Sequence, residues 1–290
     1  CSRIPSCSTH QSPRPADKAY GSGTKGASVA EPRNYRKRDL APYQRFRKTR
    51  FYSGSYTADV MYCNWTCNNC WSGFGWRTVE PKFELTSDQV VDKLVGGMRR
   101  NGLAFCRITG GEPSIYWSDH MKLVAEKFVL ATKGERIKVA GVRAKQPMAL
   151  VLETNGTAMT PAAIDEFERR AGPEAARLHI TVGVKATSAT KLALLTGHTP
   201  ATARRFREKQ MELVRHLARP EGIVAFSTLF LDKFTDDDEL DHFDNELLAI
   251  NPNLPESVID MENFRTSGWG DKKHSHKHYT PKRDREELTA

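Results

Sequence analysis

The sequence predicts an α/β fold, a partial (β/α)6 TIM-like barrel of parallel strands, and two observations predict it. From Ser55 onward a short apolar run followed by a longer amphipathic stretch recurs about six times, the pattern of parallel strands joined by helices. Three closely spaced cysteines then follow the first of those runs, at the strand end where β/α barrels carry their chemistry. A chain of 290 residues can bury one good-sized core, and nothing in its composition asks for two large domains.

The elements follow in order. Residues 1–54 read as a basic, partly disordered N-terminal extension, with residues 1–34 rich in Ser, Pro, Gly and Lys and aromatic and basic residues alternating from Tyr35. Residues 55–265 hold the core domain. Strands are expected over 56–62, 104–109, 148–154, 178–184, 222–230 and 257–263. Helical spacing covers 86–100, 118–131, 161–171, 201–218 and 236–249, with Ser87, Ser118, Thr160 and Thr235 as N-caps and Pro161 in a first turn. Residues 266–290 read as a charged C-terminal tail with no periodic apolar face.

Composition removes several classes of function. No apolar run approaches the roughly 20 residues of a membrane span, so no membrane partner is expected. Six cysteines in so long a chain are too few for a disulfide scaffold, and no signal-like stretch opens it, which suggests a reducing cytoplasm. The first residue is Cys1 rather than Met, so a fragment or processed form is expected. The net charge of +9 is concentrated early: residues 1–50 hold twelve Lys or Arg against Asp17, Glu31 and Asp39. A solvated basic arm explains this more simply than a phosphate-tracking segment.

Cys63-Asn-Trp-Thr-Cys67-Asn-Asn-Cys70 places three thiols on one loop. Four would close a zinc site or saturate a cubane, whereas three leave one iron of a [4Fe-4S] cluster open. A zinc knuckle completed by a distant Cys or His is the competing reading. The C-x3-C-x2-C spacing after a strand resembles the signature of the radical S-adenosylmethionine superfamily. Thr109-Gly110-Gly111-Glu112-Pro113 resembles that family's Gly-Gly-Glu turn, and Leu152-Glu153-Thr154-Asn155-Gly156 its Thr-Asn-Gly segment. The three fall in order on successive strand ends, and together they cover roughly residues 55–160.

The resemblance implies that Cys63, Cys67 and Cys70 are the catalytic and metal-ligating residues. It implies that Gly110, Gly111, Glu112, Glu153 and Asn155 contact S-adenosylmethionine. Further on, His179 to Lys185 looks like the fourth-strand segment of glycyl-radical-enzyme activases, which implies a cofactor contact for Lys185. Gly183-Val184-Lys185 stands where those relatives have Asp-x-Lys. Asn69 replaces their usual aromatic residue before the third cysteine, with Trp71 after it. Asn263, in Asp260-Met261-Glu262-Asn263-Phe264, sits where relatives contact adenine. The chain as a whole also resembles uncharacterised archaeal radical S-adenosylmethionine proteins.

Other candidates have plainer explanations. Cys106 within an apolar strand reads as a buried thiol, and Cys1 and Cys7 as incidental thiols rather than an auxiliary metal site. His274, His276 and His278 read as solvated, and Asp236 to Glu239 as acids favoured by a helix start.

The function implied by the resemblance is reductive cleavage of S-adenosylmethionine at the cluster, giving a 5'-deoxyadenosyl radical that abstracts hydrogen from a substrate, a protein or peptide by the activase likeness. An electron donor such as ferredoxin or flavodoxin is implied. Two alternatives stand beside it. One is an RNA- or nucleobase-modifying radical enzyme, motivated by basic aromatic residues 33–52. The other is a non-enzymatic iron–sulfur or zinc-binding interaction module.

Overall fold

The computed structural model describes residues 39–67, 70, 80–232, 237–255, 258–261 and 277–278. The expectations for Cys1, Cys7, Asn69, Trp71, Thr235, Asn263 and His274 lie outside these residues, as does nearly all of the proposed tail.

Six parallel strands form the centre of the sheet: β2 Ser55–Val60, β4 Phe105–Gly110, β5 Ala149–Thr154, β6 Leu178–Val184, β7 Ala225–Asp232 and β8 Val258–Met261. They stand side by side in chain order, each paired in parallel with the next. All six overlap the expected strands. Their helices are α1 Ser87–Asn101, α2 Lys122–Ala131, α3 Pro161–Ala171, α4 Ala189–Thr196, α5 Pro200–Leu217 and α6 Asp237–Ile250. Parallel strands in sequential order need crossover connections, and α1, α2, α3, α5 and α6 pack their apolar faces in one cluster with the sheet, while α4 packs against Trp65 of the cysteine loop.

Burial follows from that arrangement. Ala58, Val60, Cys106, Ile108, Leu150, Leu152, Ile180 and Val182 pack with Val90, Leu94, Met98, Phe128, Phe167 and Val214 of the helices in one apolar cluster. Cys106 is fully buried there, the structural thiol expected. The alternate residues, Thr57, Asp59, Arg107, Thr109, Glu153 and Thr181, turn to the other face. Polar side chains therefore line the concave side.

The helix starts show where local chemistry decides. Thr86, not Ser87, caps α1: its side chain accepts from Gln89 N while the Gln89 side chain accepts from Thr86 N, a capping box. Ser87 instead donates through both N and Oγ to Asp39. Ser118 caps nothing. The chain enters α2 through a tight turn at Pro113–Tyr116 and a wide turn at Trp117–Met121, and Ser118 Oγ donates to Asp119. Thr160 caps α3 as expected, with Pro161 in its first turn.

The stretch before residue 55 contributes a strand that the sequence reading did not contain. β1, Ala41–Thr49, pairs antiparallel with β2 on one side and with β3, Phe83–Leu85, on the other. Arg45 and Arg47, which suggested a solvated arm, both bond Asp59 instead, and Asp59 is fully buried. On the helix side, neutral His120 donates from Nδ1 to Asp39 Oδ1 and accepts at Nε2 from the Tyr43 hydroxyl, both at 3.0 Å, which locks β1 to the helical layer. No helix of the described residues is long and apolar enough to cross a membrane.

Candidate functional site

The ends of β2, β4 and β5 carry the three sequence motifs, and the structure joins them. Tyr62, one residue before Cys63, has φ 56 to 62 in common with only two other non-glycine residues described, Tyr52 and Ser53; its own φ is 62°. That left-handed turn is costly for an aromatic residue and re-aims the chain as it leaves the strand. Its carbonyl accepts from Glu112 N at 2.7 Å, and the Val60 carbonyl accepts from Gly111 N at 2.7 Å. A Cβ on Gly111 would lie 2.0 Å from the Tyr62 carbonyl oxygen. Only glycine lets the two loops approach so closely.

Glu112 is 2% exposed and works as a staple. Oε1 accepts from Ser114 N at 2.9 Å, from Ser114 Oγ at 2.6 Å and from the Thr154 hydroxyl, while Oε2 accepts from Asn155 N at 2.6 Å. Burial pushes its carboxyl up, and these four donors oppose the shift. The carboxylate is thus spent largely on its own protein.

Asn155 ties the third motif to the cysteine loop. Its Nδ2 donates to Asn64 Oδ1 at 2.8 Å, and Asn64 Nδ2 donates to the Thr157 hydroxyl at 2.8 Å. Thr157 in turn donates from N and Oγ to Asn155 Oδ1. From α5, the fully buried Gln210 sends Nε2 to the carbonyls of Asn155 and Gly183, at 2.8 and 3.0 Å, linking the ends of β5 and β6. The spacing of motifs did not reveal Asn64, Thr157 or Gln210.

Between its first two cysteines the loop is anchored by Trp65, 2% exposed, among Ala186, Leu192, Ala193, Ala203 and Phe206. Thr66 donates to the Thr196 carbonyl at the end of α4. Helix α4 was not among the expected helices, yet it docks the cysteine loop. No disulfide engages Cys63, Cys67 or Cys70. Burial pushes the Cys63 thiol up, followed by the Glu112 charge, with smaller contributions from Cys67 and Cys70, so the three sulfurs and the carboxylate share one neighbourhood. Among the described residues no three Cys, His, Asp or Glu side chains are spaced around one metal ion.

Glu153 and Lys185 lie at the ends of β5 and β6. Glu153 faces the concave side, where Oε1 accepts from the Tyr52 hydroxyl at 2.9 Å and from Arg107 Nη1 at 3.0 Å. Lys185 is half-buried just past the end of β6. Gly110 ends β4 with φ 105°, and Gly111 follows.

The Radical SAM superfamily profile matches residues 60–245. No curated protein matches the chain. Among solved structures, that of Streptococcus suis SuiB bound to S-adenosylmethionine is similar at 11% identity and TM-score 0.43, over 79% of this chain and 44% of SuiB. SuiB bound to the precursor peptide SuiA gives 12% and 0.45, over 73% and 40%. Native anSMEcpe with bound AdoMet gives 14% and 0.43, over 74% and 54%. The chain therefore spans less than half the length of the SuiB structures it matches.

Proposed function

The chain belongs to the radical SAM superfamily, whose members bind a [4Fe-4S] cluster and S-adenosylmethionine, and from that premise we propose that Cys63, Cys67 and Cys70 hold the cluster. The observation that carries the proposal is the cross-linking of the cysteine loop, the Gly110–Glu112 turn and Asn155 into one hydrogen-bonded unit. The residues fit the group. Three closely spaced thiols could ligate three irons of a cubane, and Gly111 lets the Gly110–Glu112 turn close on the Tyr62 carbonyl beside them.

A cluster held by Cys63, Cys67 and Cys70 would supply one-electron reduction of the sulfonium of S-adenosylmethionine. The rest is the work of the chain. Gly110 and Gly111 present bare backbone to the methionine amino group, and Glu112 fixes the position of that backbone by holding the loops at its two oxygens. Asn155 and Lys185 offer a polar rim to the cofactor's ribose and carboxylate. Asn263 is assigned to the adenine. Trp65 and its apolar neighbours exclude water from the cysteine loop on the α4 side. Glu153 lines the concave side beneath, where the substrate is held.

Hydrogen abstraction from a protein or peptide is our reading of the reaction, supported by the likeness of residues 179–185 to the activases; a ferredoxin or flavodoxin would supply the electron. Anaerobic reconstitution with iron and sulfide, then dithionite and S-adenosylmethionine, tests the chemistry. The wild type is expected to form 5'-deoxyadenosine and Cys67→Ala none. A fully loaded cubane that yields no 5'-deoxyadenosine overturns the reading in favour of a binding module.

A further inference from the structure

The connection from α2 to β5 carries charge of almost one sign. Residues 133–147 hold Lys133, Arg136, Lys138, Arg143 and Lys145 against Glu135 alone, and all five cations are exposed. Glu135 is already taken by Arg99, whose Nε and Nη2 reach its two oxygens at 3.0 and 2.6 Å. Arg100, the next residue of α1, is exposed as well. Among the described residues, neither Arg100 nor the five cations of the connection have a carboxylate partner.

The connection is a braced hairpin. Arg136 and Ile137 pair antiparallel with Pro147 and Gln146, and Ile137 packs against the main core while Arg136 and Lys138 on either side of it face out. Two of the cations tie the turn: Arg136 donates from Nε and Nη2 to the Lys145 carbonyl at 3.1 and 2.9 Å, and Lys138 Nζ donates to the carbonyls of Val142 and Arg143, both at 2.7 Å. A Cβ on Gly102 would stand 3.4 Å from the Lys138 carbonyl oxygen, so the hairpin rests on the turn that follows α1. The hairpin precedes β5 and the cysteine loop follows β2. Because the strands are parallel, the two lie at opposite ends of the sheet.

The dipole at a helix end accounts for Arg99 and Arg100, but Arg143 and Lys145 belong to no helix. A merely solvated surface intersperses the two signs, whereas like charges crowded on a stiff hairpin repel one another and gain from a partner of matching charge density. The nucleic-acid backbone has that density, with condensed counterions whose release favours binding. Residues 133–147 contain no aromatic side chain to stack on a base, and no Trp, Phe or Leu to enter a membrane interface.

We propose that residues 133–147, with Arg100, bind the phosphate backbone of a nucleic acid without regard to its base sequence. This docking is independent of the radical chemistry and leaves the cysteine loop, at the other end of the strands, free for its own substrate.

The test uses the full chain without cofactors and a fluorescein-labelled polyuridylate, with binding read as anisotropy over a series of salt concentrations. The wild type is expected to bind, with log K falling linearly against log salt. Arg143→Gln combined with Lys145→Gln should lower that slope by about 1.4, at about 0.7 per cation on a single strand, and weaken binding about tenfold or more at roughly 0.1 M salt. Arg100→Gln combined with Lys133→Gln is a second pair with the same expectation. Arg204→Gln combined with Arg205→Gln removes equal charge from two exposed positions of α5 and should keep the wild-type slope. Absence of binding by the wild type, an unchanged slope in both hairpin pairs, or an equal fall in the α5 pair overturns the proposal. Polyglutamate, and vesicles of phosphatidylserine with phosphatidylcholine, are run in parallel. Hairpin-dependent binding to either that exceeds binding to polyuridylate also overturns it, and reassigns the surface to an acidic protein or an anionic membrane.

Discussion

Replacing Gly111 with alanine strikes the closest contact at the candidate site. The new Cβ would stand 2.0 Å from the Tyr62 carbonyl oxygen, 2.8 Å from the Met61 carbonyl carbon and 2.9 Å from the Met61 oxygen. All three are backbone atoms, so no side chain can rotate away. The φ of Gly111 lies outside the left-handed region, so the cost arises from space rather than from backbone preference. Moving the loops apart costs about 1–3 kcal/mol of overpacking, together with roughly 1 kcal/mol for each of the two backbone hydrogen bonds that join them. The total of about 3–5 kcal/mol is a large share of a typical domain's roughly 5–15 kcal/mol. Gly134→Ala is the control: φ is 70° and nothing lies within 4 Å, so only backbone strain of about 1–2 kcal/mol is at stake. Urea unfolding followed by circular dichroism gives both values for the protein without cofactors, and iron content after reconstitution reads the cysteine loop. Gly111→Ala should be the less stable of the two and hold less iron. A Gly111→Ala protein with wild-type stability and iron content would refute the close-approach argument.

Other perturbations have equally definite outcomes. Gln210→Leu deprives two buried carbonyls of their donor and should cost about 2–4 kcal/mol in the same urea experiment; a loss below 1 kcal/mol would mean that β5 and β6 are held without it. Burial lowers the pKa of His120 to about 4 from the usual 6.5, so its neutral form is the one the fold accepts. The associated stability is complete above pH 6.5 and is lost as pH falls through 4, by about 3 kcal/mol in all. His120→Gln should flatten that slope in pH-resolved denaturation, and an unchanged slope would remove His120 as its source. Tyr52→Phe should cost about 1 kcal/mol through loss of the hydroxyl's bonds to Glu153 and Thr181, measured by thermal unfolding.

The six parallel strands were legible because a short stretch with apolar residues on its helix-facing side recurs before each longer amphipathic stretch. β1 was not, because Arg45 and Arg47 look solvated in a sequence and only the fold supplies a buried Asp59 to receive them. Helix α4 is short, and its start depends on Ser188 accepting from Lys191 N rather than on any long apolar face. At the site, the cysteines, Gly111, Glu112 and Asn155 announced themselves as motifs. Asn64 and Thr157 are ordinary polar residues until the loops meet. Gln210 did leave a trace: it occupies the helical face shared by Ala203, Met211, Val214 and Leu217, where a polar residue needs a partner. The role of Glu112 also differs in emphasis from the expectation, since four of its bonds go to its own chain.

The bonds that shape the cysteine loop come from far along the chain. Asn64 takes its partner 91 residues later, and Gln210 reaches Asn155 across 55 more. A nascent polypeptide emerging from the ribosome therefore displays three reactive thiols well before the residues that organise them have been synthesised. On the proposed assignment, a cluster on the three cysteines would depend on the β5 segment and on α5, so iron retention would read how far the barrel has folded.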